Sequence, residues 1–369
     1  MIAGHLVVGH VPYVTHDGTA EYGRLISTLN LADDVTQIPD THVVYFDGME
    51  PCDRNGRGLD KLINQIGPFN LGSGLTPSFS FSHKPAGGYP DYYEKMSTYV
   101  HILFAEARMV DPNVTPLTYP VLEPIEDDSP FLYEETASAH AGIGAATDRL
   151  RLRRIAIVGV GGTGSHVLDL VAKTPVAEIH LFDGDRFLTH NAFRAPGATS
   201  AADLRGGPQK AEHFAAVYAT MRKRATLVPH PYYVDEGRLG ELDGMDAVFL
   251  CIDGSPAKRA IVEHLEASNI PFYDTGIGAW LKDTSIGGTL RVTAGVPGKP
   301  VSHRGLISLA DGEPDIYADN IQVGDLNALN AALAVIRWKR ELGFYLDLEH
   351  EQQMLYTIDG NTIDNEAAE

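Results

Sequence analysis

The sequence has few cysteines, few basic residues and no long apolar segment, and each shortage argues against a class of protein. Two of its 369 residues are cysteine, too few for a disulfide framework and typical of a reducing compartment. No apolar run approaches the ~20 residues that a membrane-spanning helix needs. The N-terminal stretch MIAGHLVVGHVPYV lacks both a basic region before its apolar residues and a clear signal cleavage site. We therefore expect a soluble, cytoplasmic protein that does not enter membranes.

Positive charge is also scarce. The chain has 29 Lys and Arg against 49 Asp and Glu, which gives a formal net charge of −20 at pH 7. Proteins that bind nucleic acid normally carry a basic footprint that neutralises phosphates. The one dense basic run, DRLRLRR, directly precedes a buried-looking strand, and its simplest interpretation is a solvated helix end. We expect no nucleic acid partner.

Composition changes near residues 120–150. Residues 120–130, PVLEPIEDDSP, are rich in proline and acid, as a linker is, and a helix with two interrupting glycines follows. From Arg151 onward, strand-like and helix-like segments alternate, which predicts parallel strands joined by crossover helices in a doubly wound sheet. The predicted strands are IAIVGV, EIHLFD, TLVPHPYYV, DAVFLCID, IPFYDTG and GGTLRVTAG. Helices are predicted near residues 164–173, 208–222, 256–268 and 325–342.

The N-terminal part of the chain has a different pattern. HLVVGHVPYV, THVVYFDG and PSFSFSH are candidate strands, and DYYEKMSTYVHILFAEARMV fits either a helix or a short helix leading into a strand. We predict a separate α+β domain over residues 1–125, with residues 126–150 as a linker and helix. The α/β domain then spans residues 151–346, and residues 347–369 form a loosely held acidic tail.

A glycine-rich motif follows the first strand of the α/β domain. Gly159, Gly161 and Gly164 satisfy G-x-G-x-x-G. Glycines let the backbone approach a phosphate chain, and the helix that follows offers free N–H groups and the positive end of its dipole. Asp183 ends the next strand, where a carboxylate can bind ribose hydroxyls. Alone, the motif is a weak signal that fits a dehydrogenase and an adenylating enzyme equally well.

Further polar residues favour chemistry at a phosphate. They are Asp185, Asn191 and Arg194 in LFDGDRFLTHNAFR, Lys210 in GGPQK and Asp253 in FLCIDGSPAKR. In this order they resemble the pattern of the ThiF/MoeB-like adenylyltransferases, which share their fold with the ubiquitin-activating enzymes. The resemblance covers residues 150–345 and implies an α/β fold with a Rossmann-like doubly wound sheet. Attack on an α-phosphate needs such groups, because negative charge grows on the phosphate and the departing pyrophosphate.

The resemblance implies a role for each residue on the nucleotide. Four glycines would line the triphosphate of ATP: Gly159, Gly161, Gly162 and Gly164. Asp183 would hold the ribose, and Asp185 would either assist it or only shape the turn.

The same resemblance assigns the phosphates and the metal. Asn191, Arg194 and Lys210 would contact phosphates, and Asp253 would bind Mg²⁺ through a hard carboxylate oxygen. Taken singly, each of these residues also has an interpretation without a functional role. Arg194 fits a surface charge, Lys210 a helix-face lysine, and Asp253 a helix cap before SPAKR.

The sequence also departs from the family pattern. The spacing from Arg194 to Lys210 is longer than in the simpler members, and the paired CxxC motifs that bind structural zinc are absent. Relatives bring an arginine from the other subunit, on the helix before the first strand. Here that basic group is His140, Arg149 or Arg151, or it is missing. A homodimer is still implied.

The family adenylates the C-terminal carboxylate of a ubiquitin-like protein, which gives acyl-AMP and pyrophosphate. The resemblance therefore implies a ubiquitin-like substrate here, either single or multi-ubiquitin. Formation of a thioester is an optional second step. Cys251 lies inside a predicted strand, as a buried structural thiol would. Cys52, in FDGMEPCDRNG, is the candidate thiol. His42, Glu50 and His83 lie near it in sequence or on neighbouring strands, and a base lowers a thiol pKa.

The N-terminal region resembles an uncharacterised α+β domain fused to ThiF-type modules in bacterial ubiquitin-like operons, with SFSFSHKPAGGYPDYYEKMSTYV as its signature. Three interpretations compete: a thioester acceptor through Cys52, a thiol hydrolase, or a docking domain for the ubiquitin-like substrate. Expected partners are that substrate through its C-terminal tail, a conjugating-enzyme-like acceptor and a second copy of the chain. The rival functions are an NAD-dependent oxidoreductase or nicotinamide-binding sensor, and an inactive scaffold that binds ATP.

Overall fold

The computed structural model describes residues 1–119, 129–298, 307, 309 and 321–367. The chain divides into two compact units. The first comprises Met1–Asp128 and Tyr133–Asp148, and the second comprises Ser129–Leu132 and Arg149–Glu369. Most of the predicted linker lies outside the described residues. Most of the helical segment that follows it belongs to the first unit.

The first unit is built on an antiparallel sheet. Its strands are β1 (His5–Val14), β2 (Ala20–Thr28), β3 (Leu31–Ala32), β4 (Val35–Thr36), β5 (Val43–Asp47), β6 (Ile63–Ile66) and β7 (Phe79–Ser82). Within the described residues, the main sheet has the order β1-β2-β5-β7-β6, and β3 pairs with β4 alone. An α+β unit was the expectation from the candidate strands, each of which contains one of these strands.

A single helix, α1 (Tyr92–Val110), covers the segment that the sequence left open between a helix and a helix–strand pair. The Asp91 carboxylate accepts the N–H of Glu94 at 2.7 Å and so caps the first turn. Met96 and Leu103 lie on the buried face of α1, in the apolar core of this unit. Packing of one helix face into the core therefore accompanies a single helix in this segment, which periodicity in the sequence did not settle.

The predicted helix with interrupting glycines is two short helices, α2 (Ala137–Ala141) and α3 (Gly144–Thr147). Gly142 separates them at a φ of +67°, and its N–H donates to the carbonyl of Ala139. A left-handed glycine is a common way to end a helix.

The second unit alternates strands and helices. In chain order these are β8 (Arg154–Val158), α4 (Gly162–Val171), β9 (Glu178–Phe182), α5 (Thr189–Ala192), α6 (Ala201–Arg205), α7 (Lys210–Tyr218), β10 (Leu227–His230), β11 (Ala247–Leu250), α8 (Pro256–Ala267), β12 (Phe272–Lys282), β13 (Ser285–Gly295), α9 (Gly324–Glu341), β14 (Glu351–Thr357) and β15 (Thr362–Ala367). Short 3₁₀ turns occupy Asp148–Leu150, Arg224–Thr226 and Glu236–Leu242.

In the described part of this unit, the strands form one sheet in the order β10-β9-β8-β11-β12-β13-β14-β15. The strands from β10 to β12 are parallel, and those from β12 to β15 are antiparallel. Apolar clusters cover both faces, and α4 and α9 lie against one of them. The chain order reverses between β8 and β11, which opens a crevice at the carboxyl ends of these strands. The expected α/β doubly wound sheet is confirmed.

The C-terminal segment does not form the loose tail that its acidity suggested, because β14 and β15 extend the sheet. Glu351, the first residue of β14, is fully buried. Its carbonyl accepts a hydrogen bond from Arg337 Nε at 2.9 Å, and its carboxylate pairs with Arg340. Basic residues of α9 thus neutralise the acid and hold the strand. Across the described chain, no helix is long and apolar enough to cross a membrane.

Candidate active site

A cavity of about 470 Å³ lies in the second unit, at the carboxyl ends of β8, β9, β11 and β12. It occupies the crevice where the strand order reverses. Most of the predicted site residues line it: Gly159, Gly161, Gly162, Asp183, Asp185, Arg194, Lys210 and Asp253. Of the described residues predicted for the ATP site, Gly164 and Asn191 do not line it. Residues far apart in sequence therefore meet in one space, although their roles there stay predictions.

Gly161 is the glycine that faces open space. A Cβ at this position would meet no atom within 4 Å. Helix α4 begins at the next residue, so its first N–H groups have no intrahelical partners and its dipole favours an anion there. The geometry suits a phosphate group against the backbone of Gly161.

The other glycines serve close packing of the turn. A Cβ on Gly162 would lie 2.5 Å from the Asn327 carboxamide, and one on Gly164 would lie 1.8 Å from the Gly159 carbonyl oxygen. Gly159 itself has a φ of +85°. Among the four glycines of this turn, one thus faces open space and three let chain segments touch, a distinction that the G-x-G-x-x-G pattern does not reveal.

These two kinds of glycine predict different effects of the same substitution. Gly164→Ala is expected to destabilise the second unit by about 3 kcal/mol, because its methyl group collides with backbone rather than with a flexible side chain. Gly161→Ala should leave unfolding within about 0.5 kcal/mol of wild type and weaken ATP binding instead. Urea denaturation and calorimetric ATP titration of both variants check this. Equal stability of the two variants would contradict it.

An acidic turn after β9 forms one wall of the cavity. Asp183 accepts hydrogen bonds from the backbone N–H groups of Val160 and Asp185, both at 2.9 Å. Burial raises the pKa of Asp183 despite the opposing charge of Lys210. Lys210 Nζ donates to Asp185 Oδ2 at 2.7 Å and lies 3.9 Å from Asp183 Oδ1. Asp185 thus contacts a cation as well as shaping the turn.

Tyr233 completes this wall and belongs to no sequence motif. It follows β10, lines the cavity, and donates its hydroxyl hydrogen to Asp185 Oδ1. Burial acts to raise the pKa of Asp185, but the hydrogen bonds from Lys210 and Tyr233 outweigh it and lower that pKa. Asp185 is therefore held as a carboxylate.

Arg194 lies on a turn that Asn191 organises. The Asn191 Oδ1 accepts the N–H of Leu188 at 2.9 Å, and its carbonyl accepts the N–H of Arg194 at 3.1 Å. His166 Nε2, on α4, lies 3.2 Å from the Arg194 carbonyl. Arg194 Nε has no hydrogen-bond partner among the described residues. Asn191 thus positions Arg194 in this structure, and its own predicted phosphate contact stays a prediction.

Asp253 lies on the exposed loop between β11 and α8 and lines the cavity. The side-chain cap of α8 is Ser255, whose hydroxyl accepts the N–H of Lys258 at 3.2 Å. No cluster of three or more metal-binding side chains occurs in the part of the chain described. Mg²⁺ commonly binds one carboxylate together with substrate phosphates and water, so a single Asp253 fits that ion.

A buried charge cluster contacts the loop that carries Asp253. Asp274, on β12, lies 2.5 Å from Lys258 Nζ and accepts a hydrogen bond from Arg291 at 2.7 Å. Lys258 Nζ also donates to the carbonyl of Ile252 at 3.1 Å. A Cβ on Gly276 would lie 2.8 Å from the Arg291 guanidinium. The cluster therefore fixes both the loop that carries Asp253 and the adjoining β12 wall.

Helix α9 is hydrogen-bonded to two walls of the cavity, the start of α4 and strand β12. The Asn327 Oδ1 accepts a hydrogen bond from Thr163 Oγ1 at 3.0 Å, and Asn330 Nδ2 donates to the Gly276 carbonyl at 3.1 Å. Both asparagines are fully buried. Helical spacing predicts this helix, but the partners of the two asparagines are visible only in the structure.

Neither thiol has the surroundings of a reactive cysteine. Burial, together with the acids Glu50 and Asp53, raises the pKa of Cys52, which is buried in the first unit. Cys251 lines the cavity, and burial raises its pKa to about 12. A nucleophilic thiol needs the opposite shift.

The histidines proposed as partners of Cys52 have other neighbours. His42 Nε2 lies 3.0 Å from Ser82 Oγ, and His83 Nδ1 lies 2.9 Å from the Tyr89 hydroxyl. The Cys52 Sγ lies 3.5 Å from the Glu50 carbonyl oxygen, to which it donates. The predicted Cys–His pairing is thus not among these contacts.

His140, a candidate for the basic group of a neighbouring subunit, is engaged within the first unit. Its Nδ1 lies 3.0 Å from Asp40 Oδ2, and its Nε2 lies 2.8 Å from the Leu29 carbonyl. A contact across a dimer stays a prediction for His140, Arg149 and Arg151.

Family models divide the chain at residue 136. Residues 1–136 match a domain of unknown function, DUF6791, and residues 136–286 match the ThiF family. Similar curated proteins are ubiquitin-like modifier-activating enzymes 5. That of Drosophila mojavensis is 25% identical over 143 residues, which cover 35% of this chain and 35% of the relative. That of Culex quinquefasciatus is 23% identical over 145 residues, or 37% and 36% of the two chains. The match thus spans about a third of these relatives.

Solved structures of two other proteins are similar to this chain. Selenomethionine PaaA has a TM-score of 0.51 at 13% identity and covers 92% of this chain and 98% of its own, which shows the fold alone. E. coli MccB with ATP has a TM-score of 0.47 at 20% identity and covers 62% and 69%.

Proposed function

We propose that this chain, whose residues 136–286 form a ThiF family domain, is an ATP-dependent adenylyltransferase that activates the C-terminal carboxylate of a protein. The observation that carries the proposal is the meeting of Arg194, Lys210 and Asp253 with the glycine turn in one cavity. An enzyme that transfers hydride does not need two cations and an acid around a phosphate chain. An enzyme in which a carboxylate attacks a phosphate does need them, because negative charge develops there.

Each side chain has a task in this reaction. Asp183 binds the ribose hydroxyls, and the start of α4 holds phosphate oxygens. A substrate carboxylate oxygen attacks the α-phosphorus, the bond from that phosphorus to the bridging oxygen breaks, and pyrophosphate leaves with the electron pair. Arg194 and Lys210 stabilise the growing negative charge. A Mg²⁺ ion held by Asp253 would supply further charge neutralisation on the phosphates.

The substrate in this proposal is a ubiquitin-like protein, single or multi-ubiquitin, which enters through its C-terminal tail. Its support is the sequence motif and the similarity to proteins named ubiquitin-like modifier-activating enzymes. The homodimer, a conjugating-enzyme-like acceptor and the cytoplasmic location belong to the same proposal.

Exchange of labelled pyrophosphate into ATP tests the proposal, with β-grasp proteins whose tails end in glycine as carboxylate donors. We expect exchange that depends on such a donor and is lost in Asp253→Ala. Exchange absent with every donor, together with tight NADH binding and no ATP binding, would instead favour the oxidoreductase or nicotinamide sensor.

For the step after adenylation, we propose that the attacking nucleophile comes from another molecule. Its thiol or amine would bond to the acyl carbon, AMP would leave with the bridging oxygen, and the nucleophile would lose its proton. Support comes from the two cysteines, Cys52 and Cys251, whose burial raises both pKa values.

Thiol reactivity tests this second step. At pH 7.5 we expect an aromatic disulfide reagent to modify both cysteines of the native chain at least about 100-fold more slowly than in concentrated guanidinium chloride, because few thiolates are exposed. Cys52→Ser should behave as wild type in the exchange assay. Rapid native labelling of Cys52, or an acyl adduct that added thiol cleaves by exchange and that is lost in Cys52→Ser, would restore the thioester interpretation.

A further inference from the structure

We propose that Tyr233 is a positioning residue of the nucleotide site, which acts through Asp185 to keep Lys210 available to the phosphates of ATP. The inference rests on the adenylation function proposed above. It concerns a residue outside the glycine motif and outside the charged set that the sequence singles out.

Asp185 is the link between the tyrosine and the lysine. Its Oδ1 accepts the Tyr233 hydroxyl hydrogen, and its Oδ2 accepts a hydrogen bond from Lys210 Nζ at 2.7 Å. The Asp185 carbonyl also accepts the backbone N–H of Lys210 at 2.9 Å. Any change in charge on this carboxylate therefore acts directly on the ammonium group of Lys210.

The local charge balance explains why a third partner matters. Lys210 is 7% exposed and has two carboxylates, Asp183 and Asp185, within 4 Å. Without further compensation, the group formed by Lys210, Asp183 and Asp185 carries a net negative charge. This charge repels an incoming triphosphate, and the ammonium group stays paired with Asp185. A hydrogen bond donated to Asp185 offsets part of its charge and so weakens both effects.

Tyr233 is suited to give that hydrogen bond at neutral pH. The hydrogen bond to Asp185 raises the pKa of Tyr233 to about 12, so the hydroxyl keeps its proton. The ring also lies against Gly184, where a Cβ would come within 2.8 Å of it. Tyr233→Phe keeps this ring contact and removes only the hydroxyl group.

The neighbouring tyrosine is a matched control. Tyr232 also donates its hydroxyl hydrogen to an acid, Glu241, at 2.7 Å, but its side chain does not line the cavity among the described residues. Tyr232→Phe therefore removes the same kind of hydrogen bond at a neighbouring position outside the nucleotide site, together with a 2.8 Å contact between the hydroxyl and His230 Nδ1.

Calorimetric titration of the full chain with Mg²⁺ and ATP tests the role. We expect Tyr233→Phe to raise the Kd for ATP about 3- to 10-fold, the effect of losing one hydrogen bond to a partly exposed charged group. Tyr232→Phe should leave it unchanged. In a Lys210→Ala background, Tyr233→Phe should change the Kd less than about 2-fold, because coupled residues are non-additive. Adenosine binding should be insensitive to Tyr233→Phe.

Two results would overturn the assignment while leaving adenylation standing. One is a Tyr233→Phe chain that binds ATP as wild type does. The other is an equal loss of affinity in the presence and absence of Lys210, which would make Tyr233 a direct contact of the nucleotide. A wild-type chain that binds no ATP would overturn the proposed function itself, and this inference with it.

Discussion

Replacing Asp274 with alanine is expected to lower the free energy of unfolding of the second unit by about 3–5 kcal/mol. The substitution leaves Lys258 and Arg291 without the carboxylate that both contact, and Lys258 is almost completely buried. A buried charge that loses its partner is among the costliest single changes in a protein. Urea denaturation followed by tryptophan fluorescence measures the effect on this unit alone, because Trp280 and Trp338 are the only tryptophans in the sequence.

The matched control for this experiment is Glu178→Ala in the same unit. Glu178 accepts a hydrogen bond from Arg154 at 2.8 Å, but the two side chains are 39% and 41% exposed. An exposed pair contributes about 1 kcal/mol or less. If Asp274→Ala cost no more than Glu178→Ala, the charge cluster would not support the cavity loop as inferred.

Replacing Arg194 with alanine is expected to reduce pyrophosphate exchange at least about 100-fold, with unfolding changed by less than about 0.5 kcal/mol. The guanidinium group lines the cavity, and its Nε has no hydrogen-bond partner among the described residues. The substitution therefore breaks no hydrogen bond of Nε, and it removes a cationic group from the cavity in which we propose that the phosphates bind. Because the role is electrostatic and directional, Arg194→Lys should recover only part of the rate.

Arg205→Ala is the control for a general change in surface charge. Arg205 lies on the neighbouring α6 and is exposed, and exchange by this variant should equal that of wild type. If Arg194→Ala and Arg205→Ala lowered the exchange rate equally, Arg194 would be an ordinary surface charge with no specific role in the reaction.

The parts of this site that sequence could predict are those that depend on strand order. Asp183 and Asp253 follow buried strands, and the carboxyl ends of parallel strands share one edge of a sheet, so their proximity follows from the alternation of elements. The same alternation predicted β8 to β13 with α4, α7, α8 and α9, because apolar periodicity is strong there, but it did not predict α5, α6, β14 or β15.

The parts that sequence missed depend on side-chain contacts between distant segments. Tyr233 and Asp274 carry no local signal, since one follows a short strand and the other interrupts an apolar one. The acids after α9 looked solvated because the arginines that neutralise them lie on another element. Cys52 was a candidate nucleophile because its burial, which raises its pKa, carries no local signal in the sequence.

Helix α9 gives the site a dynamic property. Asn327 is bonded to the start of α4 and Asn330 to the Gly276 carbonyl on β12, so neither wall can separate from the helix without breaking a hydrogen bond of a fully buried asparagine. Segments joined in this way open cooperatively in hydrogen exchange. A fluctuation that frees α9 would therefore disrupt the α4 and β12 sides of the cavity together, and we expect a cavity with only one intact side to be rare.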